Sequence, residues 1–565
     1  MFGSALRTSL LAALAALTPQ AMAIAPVTLI VADPPGSGFN DATPAKPGGG
    51  NSGTTVGEQR LIALQHAVAI WSSKLDSPMP IRIRVSFKSL GCTAGAGTVG
   101  AAQTPDIFYF EQDEPEIIQN VWYPAALANR LFGRVQNPDR EEIYLWFNPG
   151  VGDPDCLAGK HWYYGLDNHP TAQGVSFVPV ALHEIAHGLG FAEVQEVAAS
   201  EKWRGCVFGE YLYDATQKKT WNQMTLAERA ELSKNYRRVS WTGYNVGRDA
   251  PAVLDPGTPI LRIARPSAAA GRYYAGTASF GAALASSGIE GELALTSDGS
   301  DEAGPSPSDA CSPVINVSEV MGRIAIADRG GCVFTQKAYH AQAAGAIALV
   351  VVNNVDAQNL PNLSGSDARI TIPVVHVTFA DGKVPKAALG EPQRPRVRLL
   401  LDPAVRRGAD PAGRPLLYTP AVDRPGSSVA HWDSSASPDQ LMEPDVPDDT
   451  ADLVEPPRDL TLSALRDLGW FPDWDGVPGG IDQCPDSDQG ATLRILSCDT
   501  GVANKTSPVG CRTSDFYKRC TREPGSRRDF LGCVDSVSSE LLKAGTMDSE
   551  GAGAVRACAI RVPLP

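Results

Sequence analysis

Positive charge is in short supply in this chain. Its 565 residues carry 49 Lys and Arg against 63 Asp and Glu, a formal net charge of −14 at pH 7. Proteins that hold nucleic acid displace counterions from phosphate with a basic surface, so this balance argues against nucleic acid as a partner. Long apolar runs are equally scarce. Beyond the N-terminal segment none approaches the roughly 20 residues that cross a bilayer, and no membrane span is expected. Although there are 11 cysteines, no CxxC spacing occurs, which excludes a zinc ribbon. Histidine is rare, at eight residues, so any pattern that gathers several of them carries weight.

What is present divides the chain. At this length a single hydrophobic core is too small a unit, and about three or four domains are expected. Arg7, an apolar run over 10–17 and the small-residue pattern Ala21-Met22-Ala23 read as a secretory signal over 1–23, cut after Ala23. The product is then secreted or periplasmic, where disulfides persist. Six cysteines, Cys484, Cys498, Cys511, Cys520, Cys533 and Cys558, crowd the last domain (476–565) and suggest three bridges among about 15 possible pairings. Cys311 and Cys332 are a further candidate pair. Cys92, Cys156 and Cys206 leave one cysteine over.

The segment 24–55, rich in Gly, Pro, Asn and Asp, predicts an irregular lead-in. Apolar residues at helical spacing predict a helix over 58–74, and alternation predicts strands over 81–87 and 142–147. Residues 180–191 read VALHEIAHGLGF, an apolar helix interrupted by polar groups where a metal would want them. His183 and His187, four apart, emerge from one helix face and can share one zinc. Glu184 beside them can act as general base on water activated by the metal. Burying two imidazoles and a carboxylate in so apolar a helix is unfavourable unless a metal compensates. A tetrahedral catalytic zinc needs a third protein ligand and leaves its fourth position to water. Gly188 and Gly190 extend the motif so that the next ligand position falls on Glu193, a carboxylate.

Two resemblances add to this reading. Residues 322–354 predict strand, Gly-rich turn, helix and buried strand, and their Asp-Arg-Gly-Gly-Cys at 328–332 and Ala-Gly-Ala at 344–346 resemble the protease-associated domain, over 271–401. The resemblance implies a non-catalytic module that accompanies peptidases and sorting receptors. Residues 427–444, SSVAHWDSSASPDQLMEP, resemble the leishmanolysin-like metzincins, which carry an insert before the third zinc histidine. It implies His431 as third ligand, ahead of Glu193, and Met442 as the turn beneath the metal. A further helix is predicted over 460–470 and another over 530–544.

The expected fold is therefore α+β: a metzincin-like peptidase domain in two parts (24–265 and 415–475), interrupted by the α/β insert, with a small disulfide-rich domain at the end. The expected function is a secreted zinc endopeptidase acting on protein or peptide substrates, with 142–147 as the edge strand that receives them. The alternative is a non-catalytic binding protein on a degenerate peptidase scaffold. Asp153 and Asp155 could hold a structural calcium. Oligomeric state is not legible.

Overall fold

The computed structural model describes residues 25–110, 117–193, 205–300, 302–354, 363–445, 452–473, 477–484, 487–522 and 526–562. The leader expected at 1–23 lies outside them. A first sheet holds β1 (Val27–Val31), β2 (Ile81–Phe87), β3 (Gly100–Gln103) and β4 (Ile143–Phe147), in the order β1-β2-β4-β3. The first three neighbours are parallel, with Val27 opposite Ile81 and Ile83 opposite Ile143, whereas β3 runs antiparallel with Gly100 opposite Phe147. Ile81, Ile83 and Val85 alternate with exposed or half-buried residues, as do Ile143, Leu145 and Phe147, so one face of the sheet enters the core.

Two expectations are corrected here. β1 lies inside the segment read as irregular, because a five-residue apolar run flanked by Gly, Pro and Asp gives little periodic signal. The strand near 142–147 forms but is not an edge. It is sandwiched between β2 and β3, and the free edge belongs to β3, whose sequence Gly-Ala-Ala-Gln shows no alternation at all.

Two helices back this sheet. α1 (Val56–Lys74) starts slightly earlier than predicted, at a reciprocal cap: Glu58 N–H donates to Thr55 Oγ1 at 3.2 Å, and Thr55 N–H donates to the Glu58 carboxylate at 3.1 Å. Its buried stripe, Ala63, Leu64, Ala67 and Trp71, faces α2 (Phe177–Leu189), where the Trp71 indole donates to the Leu182 carbonyl at 3.0 Å. α2 presses closely on the sheet. A Cβ on Gly188 would stand 2.4 Å from Ile143 Cγ2, so only glycine permits the approach. Gly190, at φ 119°, then ends the helix.

Beyond α3 (Tyr244–Val253) the chain enters the insert, an eight-stranded mixed sheet. Its strands are β5 (Pro256–Arg265), β6 (Gly271–Tyr274), β7 (Gly276–Thr277), β8 (Ile289–Leu295), β9 (Ile324–Asp328), β10 (Ala348–Val352), β11 (Val374–Val377) and β12 (Arg396–Arg406), ordered β6-β5-β12-β8-β9-β10-β11-β7. The predicted strand–turn–helix–strand is β9, α4 (Phe334–Ala343) and β10, with β11 and α5 (Phe379–Ala388) following. Cys311 and Cys332 are bridged. The insert is larger than 271–401. β5, expected in the peptidase part, pairs with β12 from Pro256 opposite Arg406 onward, so the outgoing and returning chains are neighbours in one sheet.

α6 (Thr461–Leu468) returns to the first core, where Leu465, Leu468 and Trp470 join residues of α1 and α2. Asp467 on this helix is fully buried. Its carboxylate accepts from the Trp241 indole (2.8 Å), the Asn245 side chain (3.0 Å) and the backbone N–H groups of Asn245 (2.7 Å) and Val246 (3.2 Å), capping α3 from across the insert. The last domain is a hairpin, β13 (Thr492–Ile495) and β14 (Cys498–Ala503), with α7 (Thr513–Arg522), α8 (Arg527–Lys543) and α9 (Ser549–Arg561). Its bridges are Cys484–Cys511, Cys498–Cys558 and Cys520–Cys533. Cys92 pairs with Cys156, and the cysteine left over is the buried Cys206. No helix among the described residues is long and apolar enough to cross a membrane.

Replacing Asp467 by Ala strands three donors, the Trp241 indole and the backbone N–H groups of Asn245 and Val246 at a buried helix N-terminus. Denaturant unfolding of Asp467→Ala should show a loss of about 3 kcal/mol or more, and a loss below about 1 kcal/mol would mean the cap does not tie the two parts together.

Candidate metal centre

α2 presents His183 and His187 one turn apart, and the loop after the insert brings His431 against them. The three Nε2 atoms form a near-equilateral triangle, with separations of 3.0, 3.1 and 3.2 Å. Each Nδ1 faces a backbone carbonyl: Leu441 for His183 (2.8 Å), Phe191 for His187 (2.6 Å) and Ser427 for His431 (2.9 Å). A carbonyl only accepts, so each Nδ1 carries the proton and each Nε2 is a bare lone pair.

Burial keeps the rings neutral, holding His183 down to about 4, His431 to about 3 and His187 well below the usual imidazole range. Three converging lone pairs with no proton between them repel, unless a cation takes all three. Nitrogens bound to one tetrahedral zinc at about 2.0–2.1 Å stand about 3.3 Å apart, and the triangle fits that spacing. Among the described residues this is the group of His, Cys, Asp and Glu side chains whose ligand atoms converge on one point.

The site is held from several sides. Past Gly190 the chain turns so that the Phe191 carbonyl reaches back to His187. Val429 adopts φ 58°, an unfavourable conformation for a β-branched residue, and that twist lets the Ser427 carbonyl meet the ring of His431. Trp432 stacks edge-on to Phe191, and its backbone N–H donates to the Met442 carbonyl at 2.8 Å. Met442 is fully buried in the same core. The neighbouring peptide matters as much. Leu441, whose carbonyl orients His183, donates its own N–H to the buried carboxylate of Asp459 at 2.6 Å, while Thr461 N–H donates to the other oxygen at 2.7 Å.

Glu184 is buried at 6% exposure on the same helix, and burial alone raises its carboxyl to about 8. Its neighbour is the edge strand: a Cβ on Gly100 would stand 2.6 Å from Glu184 Oε1 and would displace that carboxylate from its place. Both line a cleft of about 1800 Å³ that also takes in the three histidines, all of β3 and residues 423–431.

The remaining candidates lie elsewhere. Glu193 lines the cleft but its carboxylate accepts the Trp221 indole N–H at 3.0 Å, and it is not one of the converging ligands. Asp153 and Asp155 are exposed and gather with no third ligand among the described residues, so the calcium expectation finds no support. His169 is an exposed residue on the cleft rim, and His161 is exposed outside it. Gly100 and Asp459 were not singled out by sequence. For Asp459 a signal existed, since an Asp just before the helix at 460–470 reads as a cap.

The PA domain family matches residues 289–384, so the insert contains a PA domain. The probable lipoprotein aminopeptidase LpqL of Mycobacterium tuberculosis is 36% identical over 95 residues, 17% of this chain and 18% of that one. Signal peptide peptidase-like 3 of Arabidopsis thaliana is 32% identical over 141 residues, 24% of this chain and 25% of that one. ER degradation-enhancing alpha-mannosidase-like protein 3 of Xenopus laevis is 33% identical over 109 residues, 18% of this chain and 12% of that one. The chain thus spans a quarter or less of these relatives, and their names point to different activities. Among solved structures, BSAP, a zinc aminopeptidase from Bacillus subtilis, is 23% identical over 32% of this chain and 38% of that one, with a TM-score of 0.19. Likeness of that order leaves the histidine centre to be read from its own geometry.

Asp459 acts on the centre only through the Leu441 peptide. Its replacement by Ala should weaken zinc binding by about 10–100-fold in chelator competition. Unchanged zinc affinity in a folded Asp459→Ala would show that the Leu441 carbonyl holds its place unaided.

Proposed function

We propose that this chain is an exported zinc endopeptidase of the leishmanolysin-like metzincin type, with a PA domain inserted between its second and third zinc ligands. The observation that carries the proposal is the convergence of three bare imidazole lone pairs beside an unpaired buried carboxylate, in a cleft walled by a free strand edge. His183, His187 and His431 would hold the zinc. When bound, the metal supplies Lewis acidity, polarising a carbonyl and lowering the pKa of water.

Glu184 does the proton work. It sits next to His183 in sequence, faces the cleft and has no donor among the described residues to occupy it. As a carboxylate, the form that a zinc cation held by the adjacent histidines would favour against the effect of burial, it can take a proton from the attacking water and return it to the leaving amine. β3 supplies the binding register. Its outer edge has no strand partner in its sheet, so an extended peptide can add antiparallel to Gly100–Gln103 through backbone hydrogen bonds. Gly100 at the start of that strand leaves the space that Glu184 fills. The alternative of a non-catalytic binding protein leaves Glu184 unexplained, because a purely structural zinc has no use for a buried unpaired acid.

The test is zinc content and cleavage of casein and of an N-terminally blocked peptide. Glu184→Gln should keep its zinc and lose about 10²–10⁴-fold in cleavage, His431→Ala should lose most of its zinc, and Glu193→Ala should keep it. Normal turnover by Glu184→Gln would refute the mechanism. Full zinc in His431→Ala with loss in Glu193→Ala would return the third ligand to the short motif.

A further inference from the structure

The outward face of the insert's sheet carries arginines in register. β6, β5 and β12 are neighbours, and Arg272, Arg262 and Arg398 stand directly opposite one another across them. A register shift between Ile263 and Arg265 sets Arg265 opposite Arg396, adding a second like-charged pair. The alternate residues Leu261, Ile263, Val397 and Leu399 are buried, so the arginines point away from the core. Like charges directly opposed across strands destabilise a sheet, and five arginines on one small face are unexpected in a chain of net charge −14.

Part of this charge is met from within. Arg272 pairs with Asp402, Arg396 pairs with Glu290, and Arg398 donates to the Ser287 carbonyl. Arg262, in the middle of the row, and Arg265 beside it are exposed and have no hydrogen bond or ion pair among the described residues; Glu290, opposite Arg398 and paired with Arg396, lies within electrostatic reach of Arg262 without bonding to it. The face thus holds two guanidinium–carboxylate pairs beside two positions with no carboxylate in hydrogen-bond reach.

We infer that this face docks an acidic segment of polypeptide, whose Asp or Glu side chains complete the pairs at Arg262 and Arg265. Two features select that partner. The face already holds carboxylates of its own in the same setting, and the guanidinium fork matches a carboxylate in two parallel hydrogen bonds. Two vacancies also suit a short acidic run. A long polyanion draws its affinity from a continuous track of free cations, which Asp402 and Glu290 interrupt. The docking does not depend on hydrolysis.

The experiment uses the full chain carrying Glu184→Gln, so that peptide is not consumed. Fluorescence polarisation follows a labelled Gly/Ser peptide bearing a run of Asp and Glu, against the same peptide with Asn and Gln. The acidic peptide should bind in a salt-sensitive way and raise Tm, and the amide peptide should do neither. Arg262→Ser with Arg265→Ser should lower affinity about tenfold. Because the substitution relieves repulsion across the strands, its Tm without peptide should equal or exceed that of the parent. Equal binding of the amide peptide, undiminished binding by the double variant, or a fall in its Tm would overturn the proposal. So would a heparin fragment that binds more tightly than the peptide and is lost with the same two arginines.

Discussion

Three backbone carbonyls determine the chemistry of this molecule. By taking the Nδ1 protons of His183, His187 and His431, they turn three Nε2 lone pairs toward one point. Two of them, Phe191 and Ser427, come from within four residues of the histidine they orient. The third, Leu441, lies 258 residues from His183. The centre exists only once the chain has closed around its insert, and much of the architecture serves that closure. Asp467, capping α3, joins residues after the insert to residues before it, and Asp459 holds the Leu441 peptide whose carbonyl crosses back to His183.

The neck of the insert abuts the same region. The Asp255 N–H donates to the Ser437 carbonyl at 2.6 Å, and the Arg407 N–H donates to the Asp255 carbonyl at 3.0 Å. Arg237 stacks on Tyr274 of the insert at 3.9 Å while donating to Ser435 Oγ at 3.1 Å and to the Ala409 carbonyl at 2.6 Å. The PA domain is thus attached beside the loop that follows the third histidine. Residues 433–437 follow shortly after His431 and meet the neck of the insert at Asp255.

The parts legible in sequence are those whose signal is local. The two histidines and Glu184 sit within a few residues, and the Asp-Arg-Gly-Gly-Cys turn lies in one strand–helix unit. His431 and Met442 could be joined to them only through a resemblance, because nothing in their own spacing spans an insert. The edge strand escaped notice because Gly-Ala-Ala-Gln has small side chains that carry no pattern, though smallness is what Glu184 requires of its neighbour. Nothing in the helix predicted over 460–470 marks Asp467 as buried, because its burial depends on the distant N-terminus of α3. The residues of β5 fall within the expected 24–265 part, and nothing in their own sequence says that they pair with 396–406.

Pro256 and Arg406, the ends of the inserted sheet, are register partners. Paired strands lie about 4.8 Å apart, so the two halves of the outer chain stand one strand spacing apart where the insert begins and ends. In genetic terms the interval is a cassette. A lineage can gain, lose or exchange about 150 residues there without displacing either half of the histidine centre, as domains inserted at nearby points allow. Selection can therefore act on the inserted sheet separately from the histidine centre.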